Sequence, residues 1–388
     1  MGKVVAAMAS MHAPQLFTRP PEEDPAKLDA GIAAMRKLGK ALDETKPDAL
    51  LIFASDHLET FFLESVPTFL VIAGDRANAE FAGRKWSLPI HQRLAEDLLE
   101  KLERRDFDMA YSQNSVLGHS FAAIFEWILE GRDIPVVPIF VNTYLPPLPS
   151  PRRCAALGKA IAEIVAGRPE NVAVIGSGGM SHYPGTSQYY RPAFDFDHWC
   201  IKELENGHSG SFLNLTVEQL DEVGNTEMLP WAPVLGAVGA QHMEVLSYQE
   251  TLHHGQGVVW FHPGEKHNAD PAQPYKFQGH PHQFYVHPSV GVFPLNKLLY
   301  DSRYKPALRQ RIFEDLDGVS REYGLSQKEI AAIKASFQFR NIDSDHAGAD
   351  VDPLVEAGAH PVGALMALHV LQQEMRKRRK ELAGATQK

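Results

Sequence analysis

The sequence has little cysteine, no long apolar run and no excess of positive charge. Its two cysteines, Cys154 and Cys200, form no motif, which argues against a disulfide scaffold and favours a reducing compartment. No apolar run reaches about 18 residues and no signal peptide precedes the first strand-like run, so we expect neither a membrane span nor secretion. The net charge of −10 argues against a nucleic-acid partner. Histidine, in contrast, occurs 18 times among the 388 residues, and we expect a soluble, cytoplasmic enzyme.

Short apolar runs rich in β-branched residues predict the strands of the fold. These runs cover residues 4–8, 49–54, 68–73, 134–141, 172–175 and 258–261. Helical patterns alternate with them, at 25–44, 91–104, 121–130, 152–166 and 194–206. Continuous apolar character is typical of strands covered on both faces. The alternation therefore predicts an α/β fold with a mixed or mostly parallel central sheet flanked by helices.

The character of the sequence changes near residue 264, where proline, glycine and histidine replace apolar periodicity. Helical patterns resume later, at 294–300, 305–323, 326–337 and 361–381. Ser326 with Glu329 fits a capping box at one of these starts. We predict a catalytic domain over 1–265, a linker over 266–289 and a small all-helical domain over 290–388.

Three of the apolar runs end close to a histidine, namely His12, His57 and His182. In open α/β sheets the ligand crevice lies beyond the carboxyl ends of the strands, so histidines that are distant in sequence can converge there. Neutral imidazole binds zinc, copper, nickel and iron. The local spacings of zinc motifs, His-Glu-x-x-His and paired Cys-x-x-Cys, do not occur. The pattern therefore predicts a site assembled from strand ends, compatible with catalytic zinc or ferrous iron.

A carboxylate would complete such a site, because two histidines and one carboxylate leave positions open for substrate and oxygen. Asp56 and Glu59 lie near His57, but Asp56 precedes it and would point away in an extended run. Glu244 lies in an apolar, helix-like stretch over 239–248. A carboxylate there is costly unless it is paired or binds a cation. Glu244 is thus a candidate, with an exposed helix position as the alternative.

At these residues the chain resembles the class III extradiol ring-cleavage dioxygenases of the protocatechuate 4,5-dioxygenase and gallate dioxygenase type. The matching pieces, in the order of that family, are Ser10-Met11-His12-Ala13-Pro14, Ser55-Asp56-His57, Gly118-His119-Ser120, Gly178-Gly179-Met180-Ser181-His182 and the Glu244 segment. The tail resembles the small helical subunit of protocatechuate 4,5-dioxygenase, in 294–301 and 324–326. Having both parts in one chain is similar to the fused arrangement of gallate dioxygenases.

The resemblance implies roles for individual residues. His12, His57 and Glu244 would hold non-haem Fe(II), His182 would be the acid/base, and His119 would hydrogen-bond a substrate hydroxyl or oxygen. A vicinal diol must lose a proton to chelate a metal, which suits a base with a pKa near the working pH. The implied partners are an aromatic diol and O2, with no nucleic acid and no membrane. The fused relatives also imply a homodimer.

The substrate stays open among protocatechuate, gallate, methylgallates and dihydroxypyridines or hydroxypyridones. No serine or threonine stands clearly where relatives bind a substrate carboxylate, so the substrate either lacks one or meets other residues. The candidates for that contact are Lys266, His262 and His267 and, from the tail, His346, His360 and Tyr300.

Two other functions are compatible with the pattern. One is a zinc metallohydrolase on the same scaffold, with His182 as the proton carrier. The other is a non-catalytic binding protein, which the match at the metal ligands and at His182 disfavours.

Overall fold

A computed structural model describes residues 1–239, 242–262, 271–279, 284–337 and 352–385, with side chains to residue 378. The strands are β1 (Val4–Ser10), β2 (Ala49–Ala54), β3 (Phe69–Ile72), β4 (Arg76–Phe81), β5 (Arg84–Pro89), β6 (Ala110–Ser112), β7 (Val116–Leu117), β8 (Val136–Val141), β9 (Val172–Ser177), β10 (Met243–Glu250) and β11 (Gly255–Phe261).

The α-helices are α1 (Gln15–Thr18), α2 (Pro25–Thr45), α3 (Gln92–Glu103), α4 (His119–Ala123), α5 (Pro151–Ala166), α6 (Phe194–Glu205), α7 (Ser209–Leu213), α8 (Val217–Glu222), α9 (Trp231–Val238), α10 (Phe293–Tyr304), α11 (Pro306–Glu314), α12 (Leu316–Tyr323), α13 (Gln327–Ser336), α14 (Asp352–Glu356) and α15 (Pro361–Ala385). A π-helical turn (Ile124–Ile128) and two 3-10 turns (Thr226–Met228 and Val290–Val292) complete the elements.

The central sheet has eight strands in the order β10-β11-β1-β9-β2-β8-β3-β6. Its four middle strands, β1, β9, β2 and β8, are all parallel. Antiparallel partners flank them, with β11 on β1, β10 on β11 and β3 on β8. A separate three-stranded sheet has the order β5-β4-β7. The predicted α/β class, with a mostly parallel sheet flanked by helices, is confirmed.

The middle of the sheet forms the core because helices cover its strands. Every residue of β2, β8 and β9 is buried, which explains their continuous apolar runs. Helices α2 and α5 begin with the expected chemistry, a capping side chain followed by proline, at Asp24-Pro25 and Ser150-Pro151. Helix α5 packs on α9, and α9 packs on β1 and β9.

All six predicted strands are present, as β1, β2, β3, β8, β9 and β11. The helix-like prediction around Glu244 is wrong, because residues 243–250 form the edge strand β10, paired with β11. A short apolar stretch does not distinguish a helix from a strand until its pairing partner is known. Strands β4 to β7 were not predicted, since they are short and partly exposed.

The chain divides into two compact units. The first comprises Met1–Phe61, Ser65–His182 and Pro192–Gln283; the second comprises Phe62–Glu64, Tyr183–Arg191 and Phe284–Lys388. The second unit contains α10 to α15 around an apolar cluster that includes Leu295 and Leu368. The predicted linker lies partly outside the described residues.

The capping box predicted in the tail is confirmed. The Ser326 hydroxyl accepts from the Glu329 amide at 3.3 Å, and the Glu329 carboxylate accepts from the Ser326 amide at 2.7 Å. Within the described part of the chain, no helix is both long and apolar enough to cross a membrane.

Candidate active site

The parallel strands bring the three predicted histidines to one edge of the sheet. Strands β1 and β2 both pair with β9, and Ser10 and Ala54 lie opposite the same residue, Ser177. The strands therefore end at the same level, and the residues that follow them meet. His12, His57 and His182 are all buried there, so the predicted convergence is found.

Glu227, in the 3-10 turn before α9, provides the carboxylate that faces these histidines. Its carboxylate lies 2.5 Å from Nε2 of His57, 3.2 Å from Nε2 of His12 and 3.2 Å from Nε2 of His182. It also accepts hydrogen bonds from the Ser55 hydroxyl at 3.0 Å and the Gly179 amide at 3.2 Å. Burial acts to raise the pKa of Glu227, but the surrounding histidines hold it well below its usual range.

Glu244, predicted as the carboxylate ligand of the metal, does not lie in this cluster. Its side chain on β10 is 55% exposed and pairs with Nε2 of His262 at 2.8 Å. Glu227, 1% exposed, takes its place as the candidate ligand. Glu227 stands in a polar turn with no local motif, and the one available signal was its position directly before the apolar run 228–235.

The hydrogen bonds of His12 determine which ring nitrogen is available. The Ser177 hydroxyl donates to the Ser120 carbonyl at 2.6 Å, so it accepts from Nδ1–H of His12 at 3.1 Å. Nε2 of His12 then carries the lone pair, as a metal ligand requires. Burial outweighs the Glu227 carboxylate and lowers the pKa of His12, and it lowers the pKa of His57 to about 4. Both imidazoles are therefore neutral at pH 7.

The donor set fits a metal ion. Two neutral imidazoles and one buried carboxylate form the two-histidine, one-carboxylate arrangement that suits non-haem ferrous iron. Among the described residues, His12, His57 and His119 also place one ring nitrogen each within 4.8 Å of one another. A metal site at this edge of the sheet is thus supported by the geometry as well as by the residue types.

His119 lies at the start of α4 and is anchored by Glu59. The Glu59 carboxylate accepts from Nδ1 of His119 at 2.9 Å and from its backbone amide at 3.0 Å. Nε2 of His119 is buried with no hydrogen-bond partner in the described structure, and the ring lies 4.2 Å from that of His57. Burial acts to lower the pKa of His119, but Glu59 raises it overall. His119 can therefore present Nε2 to a ligand beside the candidate metal site.

His182 is held as a proton acceptor. Its Nδ1 donates to the Met180 carbonyl at 2.7 Å, so in the neutral ring Nε2 carries the lone pair. The hydroxyl of Tyr144 lies 2.9 Å from that nitrogen, and the ring of His254 stacks on His182 at 4.2 Å. Tyr144 was not predicted, although it follows β8, the fourth parallel strand, just as the histidines follow the other three.

The glycine run before His182 allows this segment to pack against the Glu227 turn. A Cβ on Gly178 would overlap the backbone carbonyl oxygen of Glu227, and the Gly178 carbonyl accepts from Nε1 of Trp231 at 3.2 Å. Glycine at this position thus brings the two loops together.

Three of the six candidates for substrate contact lie in the described part of the chain. His262 is paired with Glu244, and Tyr300, in the second unit, stacks on Phe62. His360 also lies in the second unit. The other candidates, Lys266, His267 and His346, lie outside the described residues.

Comparison with known proteins adds an independent finding. A family model described as the catalytic LigB subunit of aromatic ring-opening dioxygenase matches residues 6–259. Similar curated proteins are named 2,3-dihydroxyphenylpropionate/2,3-dihydroxicinnamic acid 1,2-dioxygenase. The one from Klebsiella pneumoniae subsp. pneumoniae is 33% identical over 174 residues, 45% of this chain and 55% of the relative. The one from Burkholderia vietnamiensis is 35% identical over 167 residues, 42% of this chain and 52% of the relative.

The matched part thus spans about half the length of these curated relatives. Among solved structures, an uncharacterized protein JW3007 from Escherichia coli K12 is 17% identical, with a TM-score of 0.43, over 59% of this chain and 91% of that one. A likeness of that size supports no conclusion about function.

Proposed function

Because this chain belongs to the family of catalytic LigB subunits of aromatic ring-opening dioxygenases, we propose that it is an Fe(II)-dependent extradiol dioxygenase. The family implies an aromatic diol and O2 as substrates and a metal as cofactor. Iron binding and extradiol cleavage are proposed because His12, His57 and Glu227 converge at the carboxyl edge of the sheet.

His12, His57 and Glu227 would hold the ferrous iron. The two Nε2 lone pairs and the buried carboxylate supply one negative charge and two neutral donors, and an arrangement of this kind leaves positions for other ligands. When bound, iron would act as a Lewis acid that lowers the pKa of a coordinated diol hydroxyl and brings the diol and O2 together.

His182 would take the proton that the diol releases. Its Nε2 is an acceptor 3.2 Å from the Glu227 carboxylate, and the bond from Nδ1 to the Met180 carbonyl prevents the ring from turning. A correctly placed acid/base of this type contributes about 10²- to 10⁴-fold to a rate.

His119 and Tyr144 would complete the contacts of the substrate oxygens. Nε2 of His119 lies free of protein partners in the described structure, beside His57, so it can hydrogen-bond a substrate oxygen. The Tyr144 hydroxyl lies at Nε2 of His182. It can donate a hydrogen bond to the neutral imidazole and accept one from the protonated imidazole. Because all four side chains are buried, these hydrogen bonds would act in a low-dielectric site.

The substrate proposal is a ring with two adjacent hydroxyls. The names of the similar proteins add 2,3-dihydroxyphenylpropionate and 2,3-dihydroxycinnamate to protocatechuate, gallate, methylgallates and hydroxypyridones. The small-subunit character of the tail, the homodimer and the cytoplasmic location stay predictions from the sequence.

The test is oxygen uptake by anaerobically purified, Fe(II)-loaded protein with each of these diols. The proposal expects uptake in a one-to-one ratio with a yellow ring-opened product for at least one diol. The His182→Phe variant serves as the control for uptake not linked to turnover. Turnover of an ester or amide without oxygen, restored by zinc, would instead establish the metallohydrolase.

A further inference from the structure

A buried carboxylate, Asp197 in the first turn of α6, lies behind the candidate active site. Its side chain is fully buried, and it accepts hydrogen bonds from three other segments of the chain. The donors are the Ser181 amide at 3.0 Å, the Ser181 hydroxyl at 2.7 Å, the Asn225 side-chain amide at 3.1 Å and the Tyr248 hydroxyl at 2.9 Å.

Two of these segments carry active-site residues. Ser181 directly precedes His182, and Asn225 directly precedes the 3-10 turn that contains Glu227. The two loops are also joined directly, because the His182 amide donates to the Gly224 carbonyl at 2.9 Å. Asp197 therefore holds the loop of His182 and the loop of Glu227 at the same time, through hydrogen bonds to Ser181 and Asn225.

Strand β11 packs closely against the Asp197 carboxylate at Gly255. A Cβ on Gly255, in β11, would overlap Oδ2 of Asp197, so glycine is needed for the close approach of that strand. Burial raises the pKa of Asp197 and the hydrogen bonds from Ser181, Asn225 and Tyr248 oppose that shift. A buried carboxylate with four donor groups is a built site, since leaving it unpaired would be costly.

We propose that Asp197 is a positioning residue, which fixes Glu227 and Nε2 of His182 relative to each other by holding the loops on which they lie. The inference rests on the proposed function for its effect on turnover. Its effect on metal binding does not depend on which reaction the site performs.

The same helix offers a matched control. Glu203, also on α6 and 2% exposed, accepts from the Ser211 hydroxyl at 2.7 Å, from Nδ1 of His208 at 3.2 Å and from the Gln273 amide at 3.2 Å. None of these donors holds His182 or Glu227. Replacing Glu203 by Ala therefore removes a buried, hydrogen-bonded carboxylate from the same helix and leaves the site loops intact.

The experiment compares Asp197→Ala with Glu203→Ala in the full chain. Co²⁺ affinity is measured by equilibrium dialysis, Tm by calorimetry, and kcat and KM with the best diol after Fe(II) loading. We expect Asp197→Ala to weaken Co²⁺ binding and to lower kcat, each by about 10-fold, which is the lower end of the effect of losing a group that hydrogen-bonds a metal ligand, because Asp197 acts through the two loops. Glu203→Ala should lower Tm and leave Co²⁺ affinity and kcat unchanged. Equal effects of the two variants on Co²⁺ affinity would overturn the proposal.

Asp197→Asn separates hydrogen-bond geometry from charge. Its amide oxygen can keep the two N–H donors, Ser181 and Asn225, while the hydroxyls of Ser181 and Tyr248 can turn to accept from its NH₂ group. We therefore expect Asn to recover part of the Co²⁺ affinity that Ala loses. An Asn variant as weak as the Ala variant would assign the effect to charge and would contradict a positioning role.

If Asp197→Ala does not fold, two tyrosine variants decide the question. Tyr248→Phe removes one donor from Asp197, and Tyr275→Phe removes the hydroxyl that donates to Asp195 on the same helix at 2.7 Å. Weaker Co²⁺ binding in the first variant alone supports the proposal, and no difference between them refutes it. A wild-type protein that binds Co²⁺ but opens no diol would overturn the proposed function and leave this comparison valid.

Discussion

Replacing Glu227 by Gln removes the one carboxylate that, among the described residues, faces Nε2 of both His12 and His57. The substitution keeps the size of the side chain and an oxygen that can accept from the Ser55 hydroxyl. It removes the negative charge that would offset part of the charge of a bound divalent cation. The histidines stay available, because burial keeps the pKa of His12 and His57 low and the carboxylate only opposes that shift.

The expected loss is large. Loss of a group that hydrogen-bonds a metal ligand weakens metal binding by about 10- to 100-fold. Loss of a ligand itself should weaken binding by more than that. We therefore expect Glu227→Gln to bind Fe(II) at least about 100-fold more weakly, or about 2.7 kcal/mol. Glu244→Gln is the matched control, since that carboxylate is 55% exposed and contacts His262.

The assay is the iron content of each variant after anaerobic loading and gel filtration, together with equilibrium dialysis against Fe(II). Wild type and Glu244→Gln should retain iron, and Glu227→Gln should not. Full iron occupancy in Glu227→Gln, or its loss in Glu244→Gln, would refute the assignment of the ligand carboxylate.

Three further predictions concern the histidines and Tyr144. His182→Phe should keep iron and lower ring cleavage by about 10²-fold or more, and normal turnover in that variant would remove His182 as the acid/base. Tyr144→Phe deletes the hydroxyl at Nε2 of His182. It should lower kcat by about tenfold, the value of one hydrogen bond to a charged group, with little change in iron content. An unchanged kcat would show that this contact does not contribute to turnover. Burial lowers the pKa of His57 from 6.5 to about 4. As the pH falls, His57 is therefore protonated in the unfolded chain before it is protonated in the folded protein, which favours unfolding. The metal-free protein should lose about 3 kcal/mol of unfolding free energy as the pH falls from 6.5 to 4. Urea unfolding at several pH values measures this loss, and a flat profile would contradict a neutral His57 in the folded state.

The central sheet and the three histidines were predictable because both depend on local pattern. A fully buried strand leaves a continuous apolar run, and His12, His57 and His182 each lie a few residues beyond such a run. Since the carboxyl ends of neighbouring parallel strands share one edge, convergence follows without knowledge of the strand order.

The carboxylates were not predictable in the same way. Glu227, Glu59 and Asp197 lie in turns or helix starts, where acidic residues are common for local reasons. Tertiary contacts bury Glu227 and Asp197 and pair Glu59 with His119. Glu244 lies in an apolar stretch of sequence, which made it a candidate ligand. That stretch is an edge strand, in which the Glu244 side chain faces solvent. Edge strands tolerate exposed charge. A glutamate in an edge strand can therefore have apolar neighbours in sequence without being buried.

Extradiol ring cleavage by this chain is tested most directly by turnover under ¹⁸O₂. Fe(II)-loaded protein is supplied with the diol that supports the fastest oxygen uptake, and the ring-opened product is analysed by mass spectrometry. An extradiol dioxygenase should place both atoms of one ¹⁸O₂ molecule in the product. A product that contains no ¹⁸O, isolated at once so that its new carbonyl oxygen has not exchanged with water, would contradict the claim.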